Sequence, residues 1–277
     1  MTEPADRLPA WSEPFVAASR SGLRRLPVLS QIDREWAMGG SDGSGVTVAI
    51  VDSGVERTHP AIGGKLVRSV VVEAASDPDA EPVVRDDTDG VDVVGHGTAC
   101  AGIVHAIAPG ADLVSVRVLG PNNRTRGMVF ATGIDWAVRQ GASIVNLSLS
   151  SRSDALFGLL HELADAAYFA NVLLVCAANN VQANSYPTLF ASVLSVAAHD
   201  QPDPEVWFYN PRPPVEFGAR GADVSVAWRE GATTTATGNS FAAPHIVGYA
   251  ARIRAKYPSV TPFEIKAILA ATATSPG

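Results

Sequence analysis

Cysteine is almost missing from this chain: Cys100 and Cys176 are the only two among 277 residues, too few for a disulfide framework. Neither belongs to a CxxC pair or has a histidine at ligand spacing, which removes a structural zinc site as well, and both thiols read as small buried hydrophobes. Positive charge is also scarce. Against 28 Asp and Glu stand 21 Lys and Arg, a formal charge of −7, so there is no summed positive field for a phosphate backbone or an anionic lipid surface, and nucleic acid is not an expected partner. No uncharged apolar run of about 18 residues occurs, so no membrane-spanning helix is expected. The stretch from Met1 to Phe15 is interrupted by Glu3, Pro4, Asp6, Arg7, Pro9, Glu13 and Pro14 and lacks the apolar core of an export signal, which makes a cytoplasmic location the expectation.

What the chain does have is apolar side chain. Hydrophobic residues make up 47% and charged ones 18%, enough to offset the entropy of ordering one large domain. Residues 1–27 have no convincing period and read as an extension; residues 28–277 read as the domain. Val46–Val51 is β-branched on both faces, as a central parallel strand covered on each side must be, and similar runs recur at Leu113–Val118, Ser143–Leu147, Val172–Cys176 and Val193–Ala197. Helical patterns lie between and after them, at Met128–Gln140 with Gly141 as a stop, at Ala155–Phe169, at Ser240–Lys256, and after Thr261-Pro262-Phe263-Glu264, which forms a capping box. Strands alternating with helices predict an α/β fold, a mostly parallel sheet flanked by helices. The stretch from Glu73 to Asp92, acidic and aperiodic, is expected to be a solvated surface loop, with an irregular cation site or a selector of basic peptides as the alternatives. Its Asp87-Thr88-Asp89-Gly90 fails as a calcium loop, because the first and twelfth ligand positions hold Arg85 and His96.

Three short motifs occur in one order. Asp52-Ser53-Gly54 follows a strand, where a polar residue faces the crevice at the strand's carboxyl end. Gly95-His96-Gly97-Thr98 opens one helix, and Gly238-Asn239-Ser240 opens another, which places Ser240 where backbone N–H groups favour developing negative charge. A carboxylate, an imidazole and a hydroxyl are the three groups that nucleophilic acyl transfer needs: the base takes the hydroxyl proton, and the carboxylate fixes the imidazole tautomer. Side-chain amides just past another strand, at Asn179 and Asn180, offer an oxyanion donor.

These blocks, with Val94-Gly95-His96-Gly97-Thr98, Ala177-Ala178-Asn179-Asn180 and Gly238-Asn239-Ser240-Phe241-Ala242-Ala243-Pro244-His245, resemble the four signature blocks of the subtilisin-like serine proteases. The likeness covers roughly residues 28–274. It implies a three-layer subtilisin-like fold and a serine endopeptidase without a cofactor, in which Asp52 orients His96, His96 is general base and acid, Ser240 is the nucleophile and Asn180 donates to the oxyanion. Asn179 stands where the family has Gly, so the register admits either asparagine, with Asn180 preferred. Ser148, Leu149 and Ser150 resemble one wall of the S1 pocket, with Ala177 and Ala178 opposite and Ser185 near its base. A peptide or protein substrate is then expected to bind as an added strand. Ser150 replaces a Gly, which narrows the wall and favours a small or medium P1 side chain. No metal is expected: the calcium-binding loop of many secreted relatives is missing after Ala106, and Ala61 stands where an Asp would be a ligand. Tyr186-Pro187 resembles a family position with a cis bond, although trans is the general expectation for X–Pro. His59, His105, His161, His199 and His245 read as structural. The missing export signal and the short segment before residue 28 point to an intracellular or peptide-maturation protease. Residues 1–27, with Arg24-Arg25-Leu26-Pro27, are either a cleft-covering self-contact or a loose surface arm. Two competing classes stay open: a catalytically silent peptide-binding module of this fold and an esterase.

Overall fold

The computed structural model describes residues 32–77, 80–212 and 214–275; the expectations for residues 1–27 lie outside them. The strands are β1 Thr47–Asp52, β2 Leu66–Glu73, β3 Val83–Asp86, β4 Asp112–Arg117, β5 Ile144–Leu147, β6 Leu173–Ala177, β7 Leu194–His199, β8 Trp207–Tyr209, β9 Phe217–Arg220, β10 Val224–Ala227 and β11 Thr233–Ala236. The helices are α1 Arg34–Met38, α2 His96–Ile107, α3 Gly127–Arg139, α4 Phe157–Phe169, α5 Asn239–Lys256 and α6 Pro262–Ala271. Nine strands form one sheet in the order β3-β2-β4-β1-β5-β6-β7-β9-β8, and β10 pairs with β11. Pairing is parallel from β2 through β9, and antiparallel only where β3 and β8 close the two edges.

The three layers follow from the two-residue period of the central strands. In β1, Val48 and Ile50 point to one core, with Cys100 and Val104 of α2, Ile246 and Ile253 of α5 and Ile265 of α6. Ala49 and Val51 point to the other, with Phe130 and Ile134 of α3 and Leu160 and Ala164 of α4. The five expected strand runs are β1 and β4 to β7, shifted by a residue or so. The capping box of α6 is present: Thr261 N–H donates to Glu264 Oε2 at 2.8 Å, and Glu264 N–H returns to Thr261 Oγ1 at 3.3 Å. α4 begins at Phe157, two residues later than expected, after a 3₁₀ turn over Asp154–Leu156.

The stretch from Glu73 to Asp92 is not wholly a solvated loop. It contains β3, an edge strand with both faces largely exposed, which leaves no alternation to read. Three of its acids are paired: Glu73 with Arg85 at 3.5 Å, Asp86 with Arg68 at 3.1 Å and Asp87 with Arg117 at 3.6 Å. Asp92 is buried outright.

His245 is structural, as expected, and carries a pH dependence. It is buried in α5 with Nδ1–H donating to the Phe241 carbonyl at 2.8 Å, and burial pushes its pKa down to about 4. An unfolded chain binds a proton there below pH 6.5 and the folded one does not, so this stabilisation is whole above 6.5 and is lost as pH falls towards 4. Its loss is worth about 2–3 kcal/mol. Urea unfolding at pH 7 and pH 4.5 measures it, and His245→Gln is expected to flatten the difference by that amount.

Candidate active site

The carboxyl ends of the three central strands β1, β5 and β6 deliver the site. Asp52, the last residue of β1, is wholly buried. Its Oδ1 accepts the Ser53 N–H at 2.7 Å, and Nδ1–H of His96 donates to the carboxylate at 2.8 and 2.9 Å from its two oxygens. This bond places the imidazole proton on Nδ1 and leaves Nε2 as a base. His96 begins α2, and the next residue must be glycine, because a Cβ on Gly97 would overlap the Gly54 carbonyl oxygen. Burial disfavours the imidazolium, but the charge and hydrogen bond of Asp52, with a smaller contribution from the Asp92 charge, outweigh it and raise the His96 pKa above 6.5. The Phe241 ring covers the imidazole at 5.4 Å.

Ser240 is the second residue of α5. Pro244, inside the same helix, has no N–H for the Ser240 carbonyl four residues back, an orphan that would cost the helix stability. Two side chains take it: Ser148 Oγ donates at 2.8 Å and Cys100 Sγ at 3.5 Å. Asn146 Nδ2 in turn donates to Ser148 Oγ at 3.0 Å, so the Ser148 hydroxyl is used inside the protein to hold the nucleophile's turn. Cys100 lies beneath the site, with its thiol well above the usual range because it is buried and faces Asp52. Among the described residues, Asp52, His96 and Cys100 bring potential ligand atoms within 4.8 Å of one another. Two of the three are the hydrogen-bonded acid and base, and burial keeps the third a thiol.

The two asparagines separate clearly. Asn179 turns its Oδ1 to the N–H of Val181 at 3.0 Å, an Asx turn within its own loop. Asn180 Oδ1 accepts from Asn239 N–H at 3.0 Å, which leaves its Nδ2 as a donor. A Cβ built on Gly238 would lie 3.4 Å from Ser240 Oγ and 3.6 Å from Asn180 Nδ2, so hydroxyl and amide border one small space. Asn239 holds this arrangement together. Its Oδ1 accepts from Ala198 N–H at 2.8 Å, and its Nδ2 donates to the carbonyls of Ala178 and Asn179, both at 3.2 Å.

His96, Ser148, Leu149, Ser150, Ala177, Ala178, Asn180 and Ser240 all line one cleft of about 400 Å³, with Asn179, Leu119, Asn123, Thr237 and Phe241. Ser185 is not among them. It is buried behind the wall, where its hydroxyl reaches Thr188 Oγ1 at 3.5 Å, and Thr188 donates to the Ala177 carbonyl at 3.1 Å. The peptide bond Tyr186–Pro187 is cis, and Tyr186 is bonded to Ser151 through both backbone groups at 2.8 Å. Sequence reasoning missed Asp92, Asn146 and Asn239 as supports of the site. One signal was available: Gly95 has no side chain to cap α2, and an aspartate stands three residues before it.

Comparison with known proteins bears on the fold and the family. The profile of the subtilase family matches residues 43–277. The thermostable alkaline protease of Halalkalibacterium halodurans is 33% identical over 243 residues, 84% of this chain and 63% of that protein, so the chain spans under two thirds of that relative's length. Subtilisin BL of Lederbergia lenta is 33% identical over 249 residues, 86% of this chain and 87% of that one. Among solved structures, a cold-adapted subtilisin-like serine proteinase superposes with a TM-score of 0.67 at 27% identity, covering 90% of this chain and 87% of its own. A psychrophilic protease, S41, does so with a TM-score of 0.69 at 26% identity, covering 83% of each. Among the described residues no helix is long and apolar enough to cross a membrane. The extent of these matches, together with an acid, a base, a hydroxyl and an amide gathered at the ends of the central strands, shows that this chain belongs to the subtilase family of serine proteases.

Proposed function

We propose that the chain is a serine endopeptidase acting through an acyl-enzyme, with Asp52, His96, Ser240 and Asn180 as its catalytic groups. The observation that carries this reading is the Asp52–His96 hydrogen bond at the edge of a cleft where the Ser240 hydroxyl and the Asn180 amide border one space. Nε2 of His96 takes the Ser240 proton as Oγ bonds to the substrate carbonyl carbon, and the carbonyl electron pair moves onto oxygen. Asn180 Nδ2–H and the Ser240 backbone N–H receive that charge. His96 then passes the proton to the leaving nitrogen as the C–N bond breaks, and water repeats the sequence on the acyl-enzyme. Asp52 keeps the imidazole in the productive tautomer throughout.

Substrate lies as an extended strand along 148–150, where the chain continues past β5, so backbone bonds supply affinity and side-chain pockets supply selectivity. Ser150 lines that wall, and its side chain favours small or medium P1 residues. Ser150→Gly is expected to shift P1 preference in a peptide library towards larger side chains; an unchanged profile removes the narrowed-wall reading.

The test of the activity is a fluorophosphonate probe. Stoichiometric labelling that Ser240→Ala abolishes, accompanied by peptide cleavage, is the expected result. Folded protein that takes no label is a silent peptide-binding module, and ester turnover without peptide cleavage is an esterase. Because protonated His96 cannot accept the Ser240 proton and its pKa is raised, the acid limb of kcat/KM has its midpoint above pH 6.5, which a pH–rate profile on a neutral peptide reads directly.

A further inference from the structure

Gly95 is the N-cap of α2 and has no side chain to accept the helix's first N–H groups. Asp92 supplies the missing acceptor. Its Oδ1 takes Val94 N–H at 3.0 Å, Gly95 N–H at 2.7 Å and the Ser53 hydroxyl at 2.8 Å; its Oδ2 takes Thr98 N–H at 2.8 Å and the Thr98 hydroxyl at 2.6 Å. Asp92 as a whole is only 6% exposed. Ser53, one of its five donors, accepts Gly97 N–H on the same hydroxyl at 3.0 Å and donates its own N–H to Asp52 Oδ1 at 2.7 Å. Thr98 Oγ1 also accepts Glu56 N–H at 2.9 Å. One buried carboxylate therefore grips Gly95 directly and Gly97 through Ser53, the residues on either side of His96, and ties both to the backbone that follows Asp52.

We propose that Asp92 is a positioning residue for the hydrolytic reaction: it locks the first turn of α2 against the end of β1, so that the imidazole meets the Asp52 carboxylate with Nε2 turned to the cleft. The inference rests on the protease reading above. A cap made only for helix stability needs two or three backbone donors. This one also recruits the hydroxyl of Ser53, from the strand side, and thereby joins the two halves of the acid–base pair. It adds charge as well. Around the imidazole lie Asp52 from β1, the Cys100 thiol from its own helix and the uncharged Phe241 ring from α5, and the charge of Asp92, in the turn before α2, reaches it as well, so Asp92 is the second of two anions acting on it.

Asp92→Asn keeps the shape but leaves one acceptor oxygen for five donors and removes the charge. On the full chain, kcat on a peptide substrate and the rate of fluorophosphonate labelling are expected to fall about tenfold to hundredfold, with KM changed by less than about twofold. The acid limb of kcat/KM is expected to move to lower pH, because less negative charge holds the proton on His96. Ser53→Ala, which cuts one link and keeps both charges, is expected to lower kcat and leave the acid limb in place. A drop in denaturation midpoint with wild-type kcat and an unmoved limb in Asp92→Asn overturns the proposal and leaves the protease reading intact. Wild-type protein that takes no label overturns both. Should Asp92→Asn not fold, Ser53→Ala and Thr98→Val carry the same test, and wild-type kcat in both overturns it.

Discussion

Asp52→Asn will lower kcat by about four orders of magnitude, the size of effect that a wrong imidazole tautomer produces in such a triad, while KM stays near its wild-type value. The local bonds dictate why. Ser53 N–H points at Oδ1 of residue 52 from 2.7 Å, and an amide placed there satisfies it only by turning its own oxygen to that N–H. The amide nitrogen then takes the place of Oδ2, the oxygen that now accepts from His96 Nδ1–H at 2.9 Å. Two donors cannot share that contact, so the imidazole shifts its proton to Nε2 and loses the lone pair that takes the Ser240 proton. Because residue 52 is wholly buried, no water restores the original tautomer. Steady-state kinetics on a peptide substrate, with circular dichroism to establish the fold, measures the effect. A loss below about tenfold would remove Asp52 from the role assigned to it.

Gly238→Ala will disable the enzyme without unfolding it. At φ 165° and ψ 158° the backbone of residue 238 is extended and suits alanine as well as glycine. Its N–H donates to the Gly221 carbonyl at 2.8 Å, a bond that the substitution keeps. The added methyl meets Ser240 Oγ at 3.4 Å and the Asn180 amide atoms at 3.6 Å, ordinary contact distances that force nothing to move. The space it fills is the one between nucleophile and amide, where the substrate carbonyl oxygen has to enter. The expected loss in kcat/KM is about 10²–10³-fold, as for removal of an oxyanion donor, and fluorophosphonate labelling slows in parallel because the phosphoryl oxygen needs the same space. Thermal stability is expected to change by less than about 1 kcal/mol. Wild-type kinetics in this variant would place the oxyanion elsewhere, and the role of Asn180 would go with it.

Which features could be read beforehand follows from where their energy comes from. β1 and β4 to β7 are covered on both faces, so their own composition records the burial. The short strands β3 and β11 are largely exposed and form by pairing with neighbours, so their side chains carry little trace of it. The expectation of a wholly solvated loop from Glu73 to Asp92 failed for this reason at β3. It failed at Asp92 for another: a carboxylate goes inside only where hydrogen-bond donors converge on it, and the five that meet Asp92 come from Ser53, Val94, Gly95 and Thr98, which come together only in the folded chain. Asn146 and Asn239 escaped notice in the same way, since an amide's use depends on which backbone groups come to lie beside it.

The residue types of the site, their order along the chain and the layered α/β architecture were determined by the amino-acid sequence, because each rests on short-range chemistry or on the period of burial. Folding decided the rest. Asn179 and Asn180 are chemically identical neighbours, and only the direction of the loop turns the first back on Val181 and the second towards Asn239 and the space beside Ser240. Ser148 and Ser185 look alike as pocket serines, yet one holds the Ser240 carbonyl and the other is buried behind the wall. Hydrogen bonds act over about 3 Å, and which groups come within that reach is settled by packing elements far apart in the chain.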